Sequence, residues 1–136
     1  MTQKDKELLL KDISARLSYR VKLRHIPSGE NTTLEMISCL SIDGNIHDLI
    51  ENFRPYLRPM SSMTDEESAE LSNIISEWFD KELFYLTEEP MIEYALSRIN
   101  YSINPKLFDW LNRNMFDYCG LIQKGLAIEA PKEMYN

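Results

Sequence analysis

A chain of 136 residues with 43% hydrophobic and 10% aromatic content suffices for one folded domain, or two small lobes, and is too apolar for disorder. A net charge of −7 disfavours nonspecific nucleic-acid binding, and no apolar run approaches the roughly 20 residues that span a bilayer. Met1–Glu7 is charged and Leu8-Leu9-Leu10 is too short for a secretory core, so a cytoplasmic protein is expected.

The charge is unevenly spread. Residues 1–58 hold nine bases and eight acids, a balance of +1, and the remainder holds six bases and fourteen acids, a balance of −8. Such asymmetry points to a charged partner, although net charge also keeps any soluble protein dispersed.

The elements follow in chain order. Leu9, Leu10, Ile13 and Leu17 recur at helical spacing and predict an amphipathic helix over Lys4 to Arg16. The period then drops to two: Tyr19, Val21 and Leu23 alternate with Arg20, Lys22 and Arg24, a half-buried strand with a basic outer side. Pro27 to Asn31 is a loop signal. Thr32 to Ile42 reads as a second strand, Asp43-Gly44 (or Gly44-Asn45) as a tight turn and Ile46 to Ile50 as a third strand. Phe53 to Leu57 adds a fourth extended segment, which Pro55 should confine to an edge or bend.

Pro55 to Met63 reads as a rigid connector, with Arg58, Ser61 and Ser62 orienting what lies on either side. Thr64 and Glu67 then form a capping box, in which hydroxyl and carboxylate each accept from the other residue's amide. Asp65, Glu66 and Glu67 complement the positive end of the helix dipole, and Leu71, Ile74, Ile75, Trp78 and Phe79 trace a core-facing stripe. A second helix is predicted from Glu89-Pro90, and a third from Asn104-Pro105 with Leu107, Phe108, Leu111 and Met115 inward. Asp117 is placed to cap a last short helix through Leu121 and Ile122 that Gly125 ends in a left-handed conformation. The tail from Pro131 should be loose.

The expected fold is therefore α+β: an N-terminal helix, a small antiparallel sheet of three or four strands, and a C-terminal cluster of three or four helices. The sheet either curls into an SH3-like barrel or stays open beneath the helices. The chain reads as a single domain with a helix-plus-sheet part over 1–58, an acidic helical part over 59–130 and a tail over 131–136.

Residues that carry chemistry are sparse. Cys39 and Cys119 stand far apart without metal-ligand spacing and read as reduced, packed thiols. His25 and His47 have no ligand-forming neighbours in sequence. Cys119 lies among apolar residues beside Asp117, which argues for an inert thiol, and four glycines cannot assemble a phosphate loop. No enzyme, metal or cofactor is expected. Two binding surfaces remain. One is acidic, Glu66, Glu67 and Glu70, with Trp110 as an aromatic anchor if it is exposed. The other is the basic strand Arg20, Lys22 and Arg24 with Arg16 nearby, the candidate for binding nucleic acid.

Three stretches carry a resemblance: Asp5-Lys6-Glu7-Leu8-Leu9-Leu10-Lys11-Asp12; Pro55-Tyr56-Leu57-Arg58-Pro59-Met60-Ser61-Ser62-Met63-Thr64; and Phe108-Asp109-Trp110-Leu111-Asn112, continued by Phe116 to Ala127. Together they resemble a group of small uncharacterised proteins encoded by phages and prophages of Bacteroides-type gut bacteria. The resemblance covers both ends and the middle, and leaves out roughly residues 20–54. It implies a mobile-element context and a bacterial host cell, and brings no catalytic residues with it. The expected function is a non-enzymatic interaction protein that binds a host or phage protein, or a protein–nucleic-acid complex, with inhibition of host defence as one role. The alternative is a small β-module that binds nucleic acid through its basic strand.

Overall fold

A computed structural model of the chain describes residues 1–34, 46–78 and 105–135. The fold is α+β. Its elements in chain order are α1 (Gln3–Ala15), β1 (Lys22–His25), β2 (Asn31–Thr33), α2 (Ile46–Asn52), β3 (Phe53–Leu57), α3 (Asp65–Trp78), α4 (Pro105–Arg113) and β4 (Ile128–Glu129), with single 3₁₀ turns at Leu17–Tyr19 and Met60–Ser62. The expected helix at Glu89-Pro90, the turn at Asp43-Gly44, the later part of the second strand, Phe79 and the Asn104 cap lie outside the described residues. The chain forms two compact units, one of residues 1–59 and 112–136, the other of residues 60–111. The boundary at Pro59 falls inside the predicted connector, but the helical part is shorter than the expected 59–130, because residues 112–136 join the first unit.

The first unit is built on an open, mixed sheet in the order β2-β1-β3-β4. It is not a closed barrel, and it is not wholly antiparallel. β1 pairs antiparallel with β2 and with β3, whereas β3 and β4 run parallel. The period-two reading of the first strand holds in burial: Val21 and Leu23 are enclosed, Lys22 is half-buried and Arg24 is exposed. The strand nevertheless starts only at Lys22, because Arg20 takes a left-handed conformation (φ 58°).

Two strand expectations need correction. Ile46 to Ile50 is helix α2, not a strand. Alternating Ile46, Asp48 and Ile50 suit either period over so short a run. The adjacent buried pair Leu49 and Ile50, the Asn52 amide donating to Asp48 four residues back, and the Lys6–Glu51 ion pair (2.6 Å) to α1 together favour the helix. Pro55 lies not on an edge but on β3, between β1 and β4. The sheet tolerates it through register. The Ile26 amide donates to the Asn52 carbonyl (2.8 Å), so Arg24/Arg54 is the next hydrogen-bonded rung. The intervening Leu23/Pro55 pair exchanges no ladder bonds, and the missing N–H costs β1 nothing.

The core of this unit gathers Leu9 and Ile13 of α1, Val21 and Leu23, Leu34, Leu49 and Ile50, Leu57, and Met115, Leu121, Leu126 and Ala127. α1 opens on a capping box of its own, Thr2 with Asp5. Residues 121–126 do not form the expected helix, but they make the helix-ending bonds without one. The Asp117 carboxylate accepts from the Leu121 and Ile122 amides (2.7 and 3.0 Å). Gly125, at φ +73°, donates to Ile122 O, and Leu126 N donates to Leu121 O. This is the Schellman pattern, with buried Leu121 and Leu126 as its apolar contact. The tail is not loose: the Tyr135 hydroxyl and the Met134 carbonyl bind Lys22 of β1.

In the second unit, α3 begins at the predicted capping box: Thr64 N donates to Glu67 Oε1 (3.0 Å) and Glu67 N to Thr64 Oγ1 (3.2 Å). Leu71 and Ile75 of α3 and Leu107, Phe108, Trp110 and Leu111 of α4 are buried. Pro105 occupies the first helical position of α4, where its missing N–H removes no helix bond. Met115, expected on that helix face, lies just past its end in a left-handed conformation (φ 61°), and is buried.

Candidate functional site

The basic strand keeps fewer available cations than its sequence advertises. Arg16 is wholly buried, which removes it from any nucleic-acid surface. Arg20 and Arg24 are exposed. Lys22 is engaged: its ammonium donates to the Met134 carbonyl (2.9 Å) and lies 5.8 Å from the centroid of the Tyr135 ring. Arg54, opposite Arg24 in the β1–β3 register, donates to the Ile50 and Phe53 carbonyls (2.8 and 2.6 Å).

Arg16 belongs instead to a buried polar cluster. Its Nε and Nη2 both bind the Asp12 carboxylate at 2.9 Å, one helical turn back, and Nη2 also donates to the Phe116 carbonyl at 2.7 Å. The guanidinium sits 5.3 Å from the Tyr118 ring centroid, and Nη1 has no hydrogen-bond partner among the described residues. Asp12 is itself enclosed. Burial pushes its carboxyl above the ordinary value, and Arg16 pulls it part of the way back. Burial likewise raises the Tyr118 hydroxyl to about 12 and pushes up the Cys119 thiol, an effect the nearby Asp12 charge adds to. Cys119 is thus held as the thiol rather than the nucleophilic thiolate. Charges meet here, but as a structural pair four residues apart whose guanidinium also ties to the Phe116 carbonyl a hundred residues on.

The acidic surface divides by role. Glu66 is exposed on the first turn of α3. Glu67 serves the cap, and Glu70, although exposed, accepts the Trp110 indole N–H at 3.1 Å. Trp110 is only 6% exposed, so it is a packed residue of α4 and not a surface anchor. Its offset from the Leu107, Leu111 stripe suggested exposure. The fold instead buries that side of the helix too and satisfies the indole with Glu70.

The histidines do not converge. His25 Nδ1 pairs with Ser28 Oγ (2.7 Å) in the hairpin turn and its ring lies 4.8 Å from that of Phe53. His47 is exposed on α2. Cys39 lies outside the described residues. Among the described residues no group of three or more His, Cys, Asp or Glu is placed to hold a metal ion, and no helix is long and apolar enough to cross a membrane.

The residue that sequence reasoning missed is Tyr135. Its hydroxyl accepts from Lys22 N (2.9 Å) and donates to Tyr56 O (2.7 Å), while burial lifts its pKa to about 12 and keeps it protonated for that double role. Nothing local signals this, because its partners lie 113 and 79 residues away.

Charge separates cleanly along the structural division. Residues 1–59 with 112–136 carry twelve bases and eleven acids, a balance of +1, and residues 60–111 carry three bases and eleven acids, a balance of −8. Comparison of the chain with protein-family models, with curated proteins and with solved structures returned no match.

Proposed function

We propose that this is a non-enzymatic interaction protein of phage or prophage origin. Its acidic unit, residues 60–111, docks on a basic surface of a host or phage protein or protein–nucleic-acid complex. The observation that carries the reading is the charge division: a balance of −8 confined to one 52-residue unit beside a nearly neutral one. Ordered carboxylates on a helix can occupy a groove that receives phosphates, and that mode suits an inhibitor of a nucleic-acid-handling defence complex. Glu66 is the carboxylate best suited to meet the partner, since Glu67 and Glu70 already serve the cap and Trp110. The alternative, nucleic-acid binding through the basic strand, loses support with Arg16 enclosed and Lys22 engaged.

Affinity capture from bacterial host cells, with and without nuclease, tests the proposal. A protein partner that survives nuclease, and whose binding weakens with salt and with Glu66→Lys, is the expected result. Binding that ignores both salt and charge reversal rejects the acidic-docking mechanism. Loss of all captured material on nuclease treatment favours the alternative.

A further inference from the structure

We infer that residues 131–135 form a releasable strap, wedged into the sheet by the Tyr135 hydroxyl, that controls whether the Lys22 ammonium reaches solvent. The inference starts from the β1–β3 ladder. Ile26 N donates to Asn52 O, and Leu23↔Pro55, Arg24↔Arg54 and His25↔Phe53 stand opposite one another. Hydrogen-bonded rungs of an antiparallel pair recur every second residue, so the rung after Arg24/Arg54 is Lys22/Tyr56. Of its four backbone groups, Lys22 N and Tyr56 O are bonded to a third party. Lys22 N donates to Tyr135 Oη at 2.9 Å, and Tyr135 Oη donates to Tyr56 O at 2.7 Å. The Lys22 carbonyl lies farther from that hydroxyl, at 3.5 Å. A side-chain hydroxyl therefore stands where a direct N–H···O=C bond would close the ladder, much as a bridging water does.

This gives the strap two ways to satisfy the same backbone groups. Docked, the hydroxyl bridges the rung, the Met134 carbonyl takes the Lys22 ammonium and the Tyr135 ring lies beside it. Released, Lys22 N and Tyr56 O bond each other directly, so no buried donor or acceptor is orphaned. The usual penalty for opening a buried polar contact is absent, and the gap between the states is set by the packing of the half-buried Tyr135 ring against the core and by the Lys22–Met134 bond. Pro131, Lys132 and Glu133 are exposed, and the backbone bond within the strap is Met134 N to Pro131 O. Both states are thus accessible to one chain, as in other order–disorder switches. The consequence is local and electrical: docking withdraws from β1 the middle cation of Arg20, Lys22 and Arg24, and release returns it.

Lysine acylation read by mass spectrometry, with exposed Lys4 as internal reference, and amide hydrogen exchange of the whole chain test this. In Tyr135→Phe, Lys22 acylation should rise roughly fivefold relative to Lys4, the factor commanded by one net hydrogen bond. Exchange protection should fall over residues 131–135 while the Arg24 amide keeps its protection. By reciprocity, Lys22→Met should loosen the same segment. Lys22 labelling within about twofold of the parent overturns the inference. So does a Tyr135→Phe protein that loses its far-UV spectrum, because the segment would then be part of the fold rather than a releasable strap.

Discussion

Replacing Arg16 by Met removes a charge from the interior while keeping most of the apolar stem. Three bonds disappear, two to Asp12 and one to the Phe116 carbonyl. Asp12, 3% exposed, loses its only ion-pair partner among the described residues. Breaking a buried pair from one side costs ~3–5 kcal/mol, a large share of the ~5–15 kcal/mol that holds a domain of this kind folded. For a urea slope on the order of 2 kcal/mol/M the midpoint falls by about 2 M. Asp12→Leu combined with Arg16→Met removes both charges and should cost clearly less than Arg16→Met alone.

The loss also depends on pH. Burial already raises the Asp12 carboxyl, and without Arg16 it rises further. Asp117 adds to the rise, and Tyr118 and Cys119 are held neutral beside it. An acid whose native pKa exceeds its unfolded value of about 3.9 binds more protons when folded, so stability falls as pH climbs from that value to the native pKa. The Arg16→Met penalty should therefore be smaller at pH 3.5 than at pH 7, where burial opposes a full charge. Urea melts by far-UV circular dichroism at both pH values decide the matter. A midpoint shift below about 0.5 M at pH 7, or equal penalties at both pH values, would refute a charge-paired interior.

Substitutions at four further positions probe the two units. Asp117→Ala should cost ~2 kcal/mol in the same melts, because the Leu121 and Ile122 amides lose their acceptor in a buried turn. Gly125→Ala should cost ~1 kcal/mol from left-handed strain alone, since no atom lies within 4 Å of the added Cβ, and a thermal melt with unchanged Tm would contradict it. Thr64→Ala should lower stability by ~1 kcal/mol by removing the α3 cap, without altering partner capture. Trp110→Ala should cost ~3–5 kcal/mol, visible as lost helical signal, whereas Trp110→Phe should cost less by retaining a ring in the core.

Local chemistry was readable where an interaction closes within one turn. The Thr64/Glu67 box follows from residues three positions apart and forms as expected; Gly125 takes its expected left-handed conformation, though the helix it was to end does not form. The α+β class follows from a change of period, and the alternation of Val21 to Arg24 carries into burial. The Ile46–Ile50 segment was misread because five residues suit both periods, and contacts with α1 decide between them. The candidate site fared worse. Trp110 is an anchor only if exposed, and it is packed; Arg16 reads by type as part of a basic surface, yet a guanidinium can be buried when a carboxylate and a carbonyl meet it.

The sequence by itself determined where α3 begins, which face of β1 is charged, and that the acids crowd after residue 58, because each property is written in residues close together along the chain. Only tertiary structure decided that Arg16 is interior, that Pro55 fits a central strand, and that Tyr135 completes a ladder rung. Each of these depends on partners roughly 30 to 115 residues away, brought close by a packed core whose pairings no local pattern encodes.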